Sequence, residues 1–240
     1  MQAILLAAGM GKRLGKHINK CMLKVGDTTI FENTVIALKK AGVARLIVVT
    51  GYHAEQLESF IIERTVGIDI IFVRNKEYAS TNNMWSLYLA KNYLADDDTI
   101  LLESDLFYRP ALLKELTDLQ KRDVAVVSKW ESWMDGTTVM LHGTEIERFF
   151  SKQELDKRNT DDLYKTVNIY KFSKQFSSKF FIPEMRAYIS EYGKNDFYEL
   201  ALGKIVQRKS ALLFAHIICE NWYEIDTELD LKLAIEGGRV

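Results

Sequence analysis

The sequence predicts an α/β fold, with a doubly wound, mostly parallel sheet and an inserted substrate-binding region. Strand and helix patterns alternate through the first half of the chain, as they do in repeated β-α-β units. Apolar residues fill successive strand positions, as in the segment LIVV at 46–49, which is typical of strands buried on both faces. The second half is less regular and contains a hairpin and a long polar segment.

Elements of the first half follow from apolar runs and from helix-end signals. Gly42 suits a helix C-cap, Pro110 suits the first turn of a helix, and Ser80 or Thr81 would cap a helix that runs to about residue 94. Strands are predicted at residues 3–7, 45–50, 68–73, 99–103 and 124–127, and helices at 30–40, 54–64, 80–94 and after residue 110.

The second half contains shorter and more varied elements. Residues 137–141 and 145–149 are expected to form a hairpin, and the charged segment 151–166 a loop or lid without regular structure. Strands are predicted at 166–172, 212–217 and 222–225, and helices at 174–180, 183–192, 196–207 and 227–235. One domain over residues 1–240 is expected: a core at 1–128, a substrate-binding region at 129–221 and a closing strand and helix at 222–240.

Composition excludes several classes of protein. The 240 residues carry a formal net charge of −1, so no nucleic-acid partner is expected. Apolar runs such as 3–8 are too short to cross a bilayer, and the N-terminus does not resemble a signal peptide. Because only Cys21 and Cys219 are present, we expect no disulfide framework and a cytoplasmic location. The oligomeric state is left open.

The N-terminal strand runs into a glycine-rich segment, LAAGMGKRL at residues 6–14. Two glycines let the backbone approach a ligand, while Lys12 and Arg13 add positive charge that suits phosphate oxygens. We therefore predict a triphosphate-binding loop, with Arg13 also a catalytic candidate. The nucleotide-binding candidates in this segment are Leu6, Ala7, Ala8, Gly9, Gly11 and Lys12.

Two better-known phosphate loops do not fit this segment. The dinucleotide fingerprint needs a third glycine where this chain has Leu14. The P-loop needs a glycine in place of Met10, and Ser or Thr after a lysine where Lys16 is followed by His17. A plain strand-to-helix turn would explain the glycines, but it would not explain the adjacent Lys-Arg pair.

Three charged residues are candidates for nucleotidyl transfer. Lys20 follows the glycine loop, and a cation fixed there could stabilise charge on an α-phosphate. Asp105 and Asp226 end strands, and their carboxylates could hold Mg²⁺ together with phosphate oxygens. Alternatively, Lys20 is a solvated surface lysine and each aspartate caps a helix. Glu103 is a second-choice metal ligand on the same side of its strand as Asp105.

A helix N-terminus is predicted beside the same crevice. Ser80, Asn82 and Asn83 combine hydroxyl and amide groups with free backbone N–H donors, so they are candidates for reading a base or a ribose. Capping alone would explain Ser80, but it would not explain two adjacent asparagines, which are poor helix formers.

Together these segments resemble the bacterial choline-phosphate cytidylyltransferases and their phosphonate cytidylyltransferase relatives. The resemblance rests on the glycine loop, the Asn-Asn helix start before SLYL, Asp105 and the segment YEID at 223–226. It implies a Rossmann-like nucleotidyltransferase fold, CTP as donor, Mg²⁺, and a CDP-linked product with release of pyrophosphate. It also implies the family's catalytic and metal roles for Lys20, Asp105 and Asp226. Asn19 stands where that family has proline before the lysine.

The acceptor would be phosphocholine or another small phosphate or phosphonate. Aromatic rings with a nearby carboxylate hold quaternary ammonium groups, whereas a primary amine favours carboxylates and fewer rings. Aromatic residues are also common in cores, and Asn168 could be a satisfied core amide. The acceptor-binding candidates are Trp130, Trp133, Asn168, Tyr198, Glu199 and Trp222.

Two other functions fit parts of the pattern. One is a sugar-1-phosphate nucleotidyltransferase that uses UTP or dTTP, although the chain is short for that group. The other is a non-catalytic nucleotide-binding regulatory module, which would be expected to have lost Lys20, Asp105 or Asp226. All three residues are present.

Overall fold

The computed structural model describes residues 1–14, 18–155, 160–219 and 221–237. Most of its strands belong to one central sheet, and two short two-stranded sheets stand beside it. The strands are β1 (Gln2–Ala7), β2 (Lys24–Val25), β3 (Thr28–Thr29), β4 (Arg45–Thr50), β5 (Asp69–Arg74), β6 (Thr99–Glu103), β7 (Leu106–Tyr108), β8 (Val124–Lys129), β9 (Thr138–His142), β10 (Glu145–Phe150), β11 (Leu163–Phe172), β12 (Phe214–Ile218) and β13 (Trp222–Glu224).

Within the described residues, the central sheet has nine strands in the order β5-β4-β1-β6-β11-β8-β12-β10-β9. The first four strands are parallel, as the apolar runs predicted. Strand β11 is antiparallel to both β6 and β8, β12 returns parallel to β8, and β9 and β10 form the predicted hairpin. The α/β fold class is confirmed, with the parallel pairing concentrated in the half that contains the glycine loop.

Helices cover both faces of the sheet, as expected of a doubly wound fold. Side chains of β1 alternate between two cores: Leu5 packs in the one formed with α1, and Leu6 in the one formed with α3. The helices are α1 (Ile30–Lys40), α2 (Ala54–Arg64), α3 (Asn83–Leu89), α4 (Lys91–Leu94), α5 (Ala111–Asp118), α6 (Lys152–Leu155), α7 (Lys174–Phe176), α8 (Ile182–Tyr192), α9 (Tyr198–Gln207) and α10 (Glu228–Glu236).

Two predicted elements differ from the structure. The helix expected from Ser80 or Thr81 begins at Asn83 with Asn82 as its N-cap, because both hydroxyls bond the Glu77 carbonyl instead. The segment 151–166 is not a continuous loop: α6 begins it and the first residues of β11 end it, with residues 156–159 outside the described part. This end of β11 pairs with β8 and β9, a long-range pairing that its polar sequence does not signal.

A strand that the sequence did not reveal brings the C-terminal segment back to the first half. Strand β7 pairs antiparallel with β13, with Leu106 opposite Glu224. The ladder is extended by the Ile225 N–H, which donates to the Asp105 carbonyl at 2.9 Å. This pairing fixes the chain just before Asp226 against the end of β6.

The division of the domain at residues 128 and 221 stays a prediction. Among the described residues, no helix combines the length and apolarity that a membrane span requires.

Candidate active site

A cavity of about 300 Å³ opens at the carboxyl ends of β1 and β6. The glycine loop forms one wall, the start of α3 another, and Phe197 lies at its edge. Ala7 and Ser80 are outside the lining: Ala7 is buried in β1, and Ser80 is turned toward Glu77. The predicted nucleotide-binding residues that line the cavity are Leu6, Ala8, Gly9, Gly11, Lys12, Asn82 and Asn83.

The glycine loop is held close to the end of β4. The Tyr52 N–H donates to the Ala8 carbonyl at 3.1 Å. A Cβ at Gly51 would lie 2.8 Å from both the Ala8 carbonyl oxygen and the Cβ of Tyr78, so this position admits only glycine without a shift. Gly51 was not among the predicted site residues, although its place directly after a buried parallel strand is a signal that could have found it.

Lys20 lies at the centre of a charged cluster at the floor of the cavity. Its Nζ is 2.7 Å from Asp105 Oδ2 and 2.5 Å from Asp226 Oδ1. The Arg13 guanidinium is 2.9 Å from the other oxygen, Asp226 Oδ2. Burial lowers the pKa of Lys20, but the two carboxylates outweigh it and raise the pKa well above its ordinary value, so the amine remains charged. The surface-lysine alternative does not hold, because the side chain is only 14% exposed.

Local structure explains why these groups meet. Lys20 begins a 3-10 turn, and Asn19 before it donates a side-chain hydrogen bond to the Tyr52 carbonyl at 3.1 Å. The β7–β13 pairing places Asp105 and Asp226 side by side. Thr227 is the N-cap of α10, in a capping box with Asp230, so the capping alternative for Asp226 is wrong.

The two aspartates offer oxygen ligands of the kind that Mg²⁺ prefers. Asp105 Oδ1 is buried and has no hydrogen-bond partner among the described residues, which fits a missing cation ligand. Nowhere in the described residues do three or more His, Cys, Asp or Glu side chains form a group that could hold a metal ion. The cluster therefore fits a metal whose coordination is completed by phosphate oxygens or water.

The start of α3 is organised by asparagine amides. Buried Asn75, which follows β5, donates to Thr81 and Ser86 hydroxyls at 3.0 Å each and accepts from the Glu77 N–H. The Asn83 amide donates to Glu103 Oε1 at 2.9 Å and accepts from the Tyr198 N–H at 3.0 Å. Asn83 therefore ties α3 to β6 and α9. Sequence reasoning missed Asn75, whose polar side chain directly after a strand was the available signal.

Residues 3–201 match the family model described as the MobA-like NTP transferase domain. The chain belongs to this family. The expectation of a nucleotidyltransferase is confirmed, as is the resemblance stated from the sequence, because cytidylyltransferases are among the relatives and structural neighbours. Nucleotidyltransferases of this kind generally use a divalent metal ion.

Two relatives align with nearly the whole chain. CMP-5'-(3-aminopropyl)phosphonate synthase of Streptomyces rubellomurinus is 26% identical over 98% of this chain and 38% of the relative. CTP:phosphoglutamine cytidylyltransferase of Campylobacter jejuni is 28% identical over 98% of this chain and its own full length. The chain thus spans well under half of the first relative and the whole of the second.

Among solved structures, the CTP:phosphocholine cytidylyltransferase of Streptococcus pneumoniae superposes with a TM-score of 0.78. That match covers 98% of this chain and 97% of the other, at 21% identity. At this identity the likeness establishes the fold, which agrees with the predicted Rossmann-like nucleotidyltransferase fold.

Beyond the charged cluster, this nucleotidyltransferase has two further poorly solvated carboxyl groups, the half-buried Glu103 and the buried Glu199. Burial, together with the charges of Asp105 and Glu199, holds the pKa of Glu103 well above its usual range. Burial raises the pKa of Glu199 to about 7. Glu199 Oε2 is buried without a hydrogen-bond partner in the described part of the chain. Glu103 lines the cavity, whereas Glu199 lies outside that lining but near enough for its charge to raise the pKa of Glu103; these two acids are called the acidic end of the site.

A third acid, the half-buried Glu224, is paired with a buried lysine. Lys165, only 1% exposed, places its Nζ 3.2 Å from Glu224 Oε2, and Asn168 donates its amide to Glu224 Oε1 at 3.3 Å. Asn168 has a φ of +58° and lies where β11 shifts register against β8. This bulge turns the amide toward Glu224. Sequence reasoning missed Lys165, because it lies in the polar segment 151–166 and no local pattern marks it as buried.

The predicted aromatic acceptor residues do not form one cluster. Trp133 and Trp222 have ring centroids 6.3 Å apart, with Trp133 42% exposed and Trp222 buried. Trp130 packs half-buried against the core. Tyr198 is fully buried, with its ring against Tyr170. None of the six predicted acceptor residues lines the main cavity as the described residues define it, so their role stays a prediction.

Proposed function

We propose that this protein transfers CMP from CTP to a small phosphate or phosphonate that carries a cationic amine. The observation that carries the proposal is the convergence of Lys20, Asp105 and Asp226 beside the glycine loop. Two relatives are named for a CMP-aminopropylphosphonate product and for a CTP-dependent transfer to phosphoglutamine, which supports CTP as the donor.

In the proposed reaction, an oxygen of the acceptor phosphate or phosphonate attacks the α-phosphorus of CTP. A new P–O bond forms, the bond from the α-phosphorus to the bridging oxygen breaks, and pyrophosphate leaves with the electron pair. Lys12 and Arg13 bind the triphosphate at the glycine loop, and Lys20 stabilises the charge that develops at the α-phosphate. Asp105 and Asp226 would hold Mg²⁺, which neutralises phosphate charge and orients the triphosphate when bound.

The buried acids support a cationic acceptor. Glu103 lines the cavity, and Glu199, outside the lining, keeps a buried Oε2 that has no partner among the described residues. Carboxyl groups at this place favour a cation, so in the proposal the ammonium group of the ligand contacts Glu103 while Glu199 adds negative charge behind it. In this proposal Trp133 and Trp222, which do not line the cavity in the described part of the chain, contact the acceptor only if it is quaternary. A cytoplasmic location stays a prediction.

Pyrophosphate release tests the proposal. Each of the four nucleoside triphosphates is combined with phosphocholine, 2-aminoethylphosphonate or glucose-1-phosphate in the presence of Mg²⁺. We expect turnover with CTP and an amine-bearing acceptor. Turnover only with glucose-1-phosphate and UTP or dTTP would instead identify a sugar nucleotidyltransferase, and no turnover with any pair would favour a regulatory module.

The variant Asp105→Asn tests whether that activity depends on the charged cluster. Removing one electrostatic contact to a transition state commonly lowers kcat by about 10²–10³-fold, and we expect a loss of at least this size. Asp118→Asn is the matched control, because its exposed carboxylate pairs with Lys114 in the same helix, away from the residues that line the cavity. A near-normal rate in Asp105→Asn, with an unchanged circular dichroism spectrum, would show that the role assigned to Asp105 is wrong.

A further inference from the structure

We infer that the Lys20 ammonium group closes the metal site in the nucleotide-free protein, and that the divalent metal enters only together with the triphosphate. The inference deepens the proposed function and rests on it, because it assigns the metal to Asp105 and Asp226. It concerns the order of binding and predicts a lysine that changes partners during each catalytic cycle.

Without a metal, three of the four carboxylate oxygens of the two aspartates already contact a cationic side chain. Asp226 has Lys20 on one oxygen and Arg13 on the other. Asp105 has Lys20 on Oδ2, which leaves only Oδ1 without a partner in the described residues. A divalent ion between these carboxylates would lie next to a fixed ammonium group. Like charges at such separations repel strongly where water is scarce, so ion and lysine cannot share this place.

A bound triphosphate would supply further ligands for the metal ion and would draw Lys20 and Arg13 away from the aspartates. Its oxygens complete a coordination shell for which the described residues supply no third acidic, histidine or cysteine ligand. It also offers new anionic partners to the displaced cations. The stem of Lys20 lies along the glycine loop, since a Cβ on Gly11 would be 3.3 Å from Lys20 Cγ. A rotation of the side chain could therefore carry the ammonium from the aspartates to a phosphate held at that loop.

Mn²⁺ binding, measured by electron paramagnetic resonance of the free ion, tests this order without any turnover. After the Mn²⁺ that α,β-methylene-CTP binds on its own is subtracted, wild-type protein without nucleotide is expected to bind Mn²⁺ at least tenfold more weakly than wild-type protein with the analogue. Lys20→Met is expected to strengthen nucleotide-free Mn²⁺ binding by tenfold or more, because no cation then competes. Lys24→Met, which removes one positive charge from an exposed position, should behave as wild type.

Two outcomes would overturn the inference. One is equal Mn²⁺ affinity of the wild type with and without the nucleotide analogue, a comparison that needs no variant to fold. The other is a Lys20→Met protein with native circular dichroism that binds Mn²⁺ no more tightly than wild type. Adding Asp105→Asn to Lys20→Met should abolish the gained affinity, and retention of that affinity would place the ion elsewhere and also refute the exchange.

Failure of the inference can be told apart from failure of the proposed function. If CTP supports pyrophosphate release while nucleotide-free protein binds Mn²⁺ as tightly as the complex, the function stands and the lysine exchange is wrong. If Lys20→Met tightens nucleotide-free Mn²⁺ binding but no acceptor supports turnover, the exchange stands and cytidylyl transfer is wrong.

Discussion

The two ends of the site differ in how their polar groups are satisfied. At the glycine-loop end, Lys20 is paired with two aspartates and Asn75 is saturated by its neighbours. At the acidic end, half-buried Glu103 and buried Glu199 have raised pKa values, and Glu199 Oε2 has no partner among the described residues. Apart from Asp105 Oδ1, the polar groups named at the glycine-loop end already have partners, so the contrast indicates an end largely built before ligand arrives and an acidic pair less fully satisfied by the protein.

Substituting Gly51 tests whether the glycine-loop end is as rigid as this comparison implies. In Gly51→Ala the new Cβ meets the Ala8 carbonyl and Tyr78 at 2.8 Å, and backbone must move. We expect a loss of about 1–3 kcal/mol in the free energy of unfolding, the usual range for overpacking. Urea denaturation measures it, and the KM for CTP should rise as the loop shifts.

Gly203→Ala is the matched control for that substitution. Gly203 lies in α9, and its new Cβ would meet Phe149 Cβ at 3.4 Å, an ordinary contact. Alanine is the better helix former, so this variant should be as stable as wild type or slightly more stable. Equal stability of the two variants would mean that the glycine loop yields easily, and the contrast between the two ends would weaken.

At the acidic end, Glu199→Gln should weaken binding of the acceptor rather than of the nucleotide. We expect the KM for an amine-bearing acceptor to rise about tenfold, equivalent to about 1.4 kcal/mol, with the KM for CTP unchanged. Because the pKa of Glu199 is about 7, the wild-type KM for the acceptor should fall as pH rises from 6 to 8, whereas the variant should show a flatter profile. Glu191→Gln, at an exposed position, is the control.

Glu199→Gln should also change how the free energy of unfolding depends on pH. The pKa of Glu199 is raised in the folded protein, so the native state holds this proton more tightly than the unfolded chain. Its stabilising contribution is complete below the ordinary glutamate pKa and is lost as pH rises toward 7. The free energy of unfolding should therefore fall less between pH 5 and pH 7 in Glu199→Gln than in wild type. Parallel pH profiles would show that Glu199 does not carry this proton.

The two ends also differ in how far the sequence could predict them. The glycine loop, Lys20 and Asp105 lie next to one another along the chain or at strand ends, so local pattern identified them. The proximity of Asp226 depends on the β7–β13 pairing, and that of Lys165 and Glu224 on a bulge in β11. These are contacts between distant segments, which no local pattern encodes. The burial of Tyr198 likewise follows from α9 packing, so its ring could not be assigned from its residue type.

Asn168 gives the smallest expected effect and tests whether the bulge itself shapes the acidic end. Its φ of +58° is unfavourable for residues with a Cβ, and its amide contacts Glu224. Asn168→Gly and Asn168→Ala both lose that amide, so the difference between their free energies of unfolding reports the backbone strain at this position. In urea denaturation we expect the Asn168→Ala protein to be less stable than the Asn168→Gly protein by about 0.5–1 kcal/mol, after allowing for the greater flexibility that glycine gives the unfolded chain. An alanine variant equal to or more stable than glycine would show that the bulge relaxes freely, and the orientation of Glu224 would then depend on Lys165 alone.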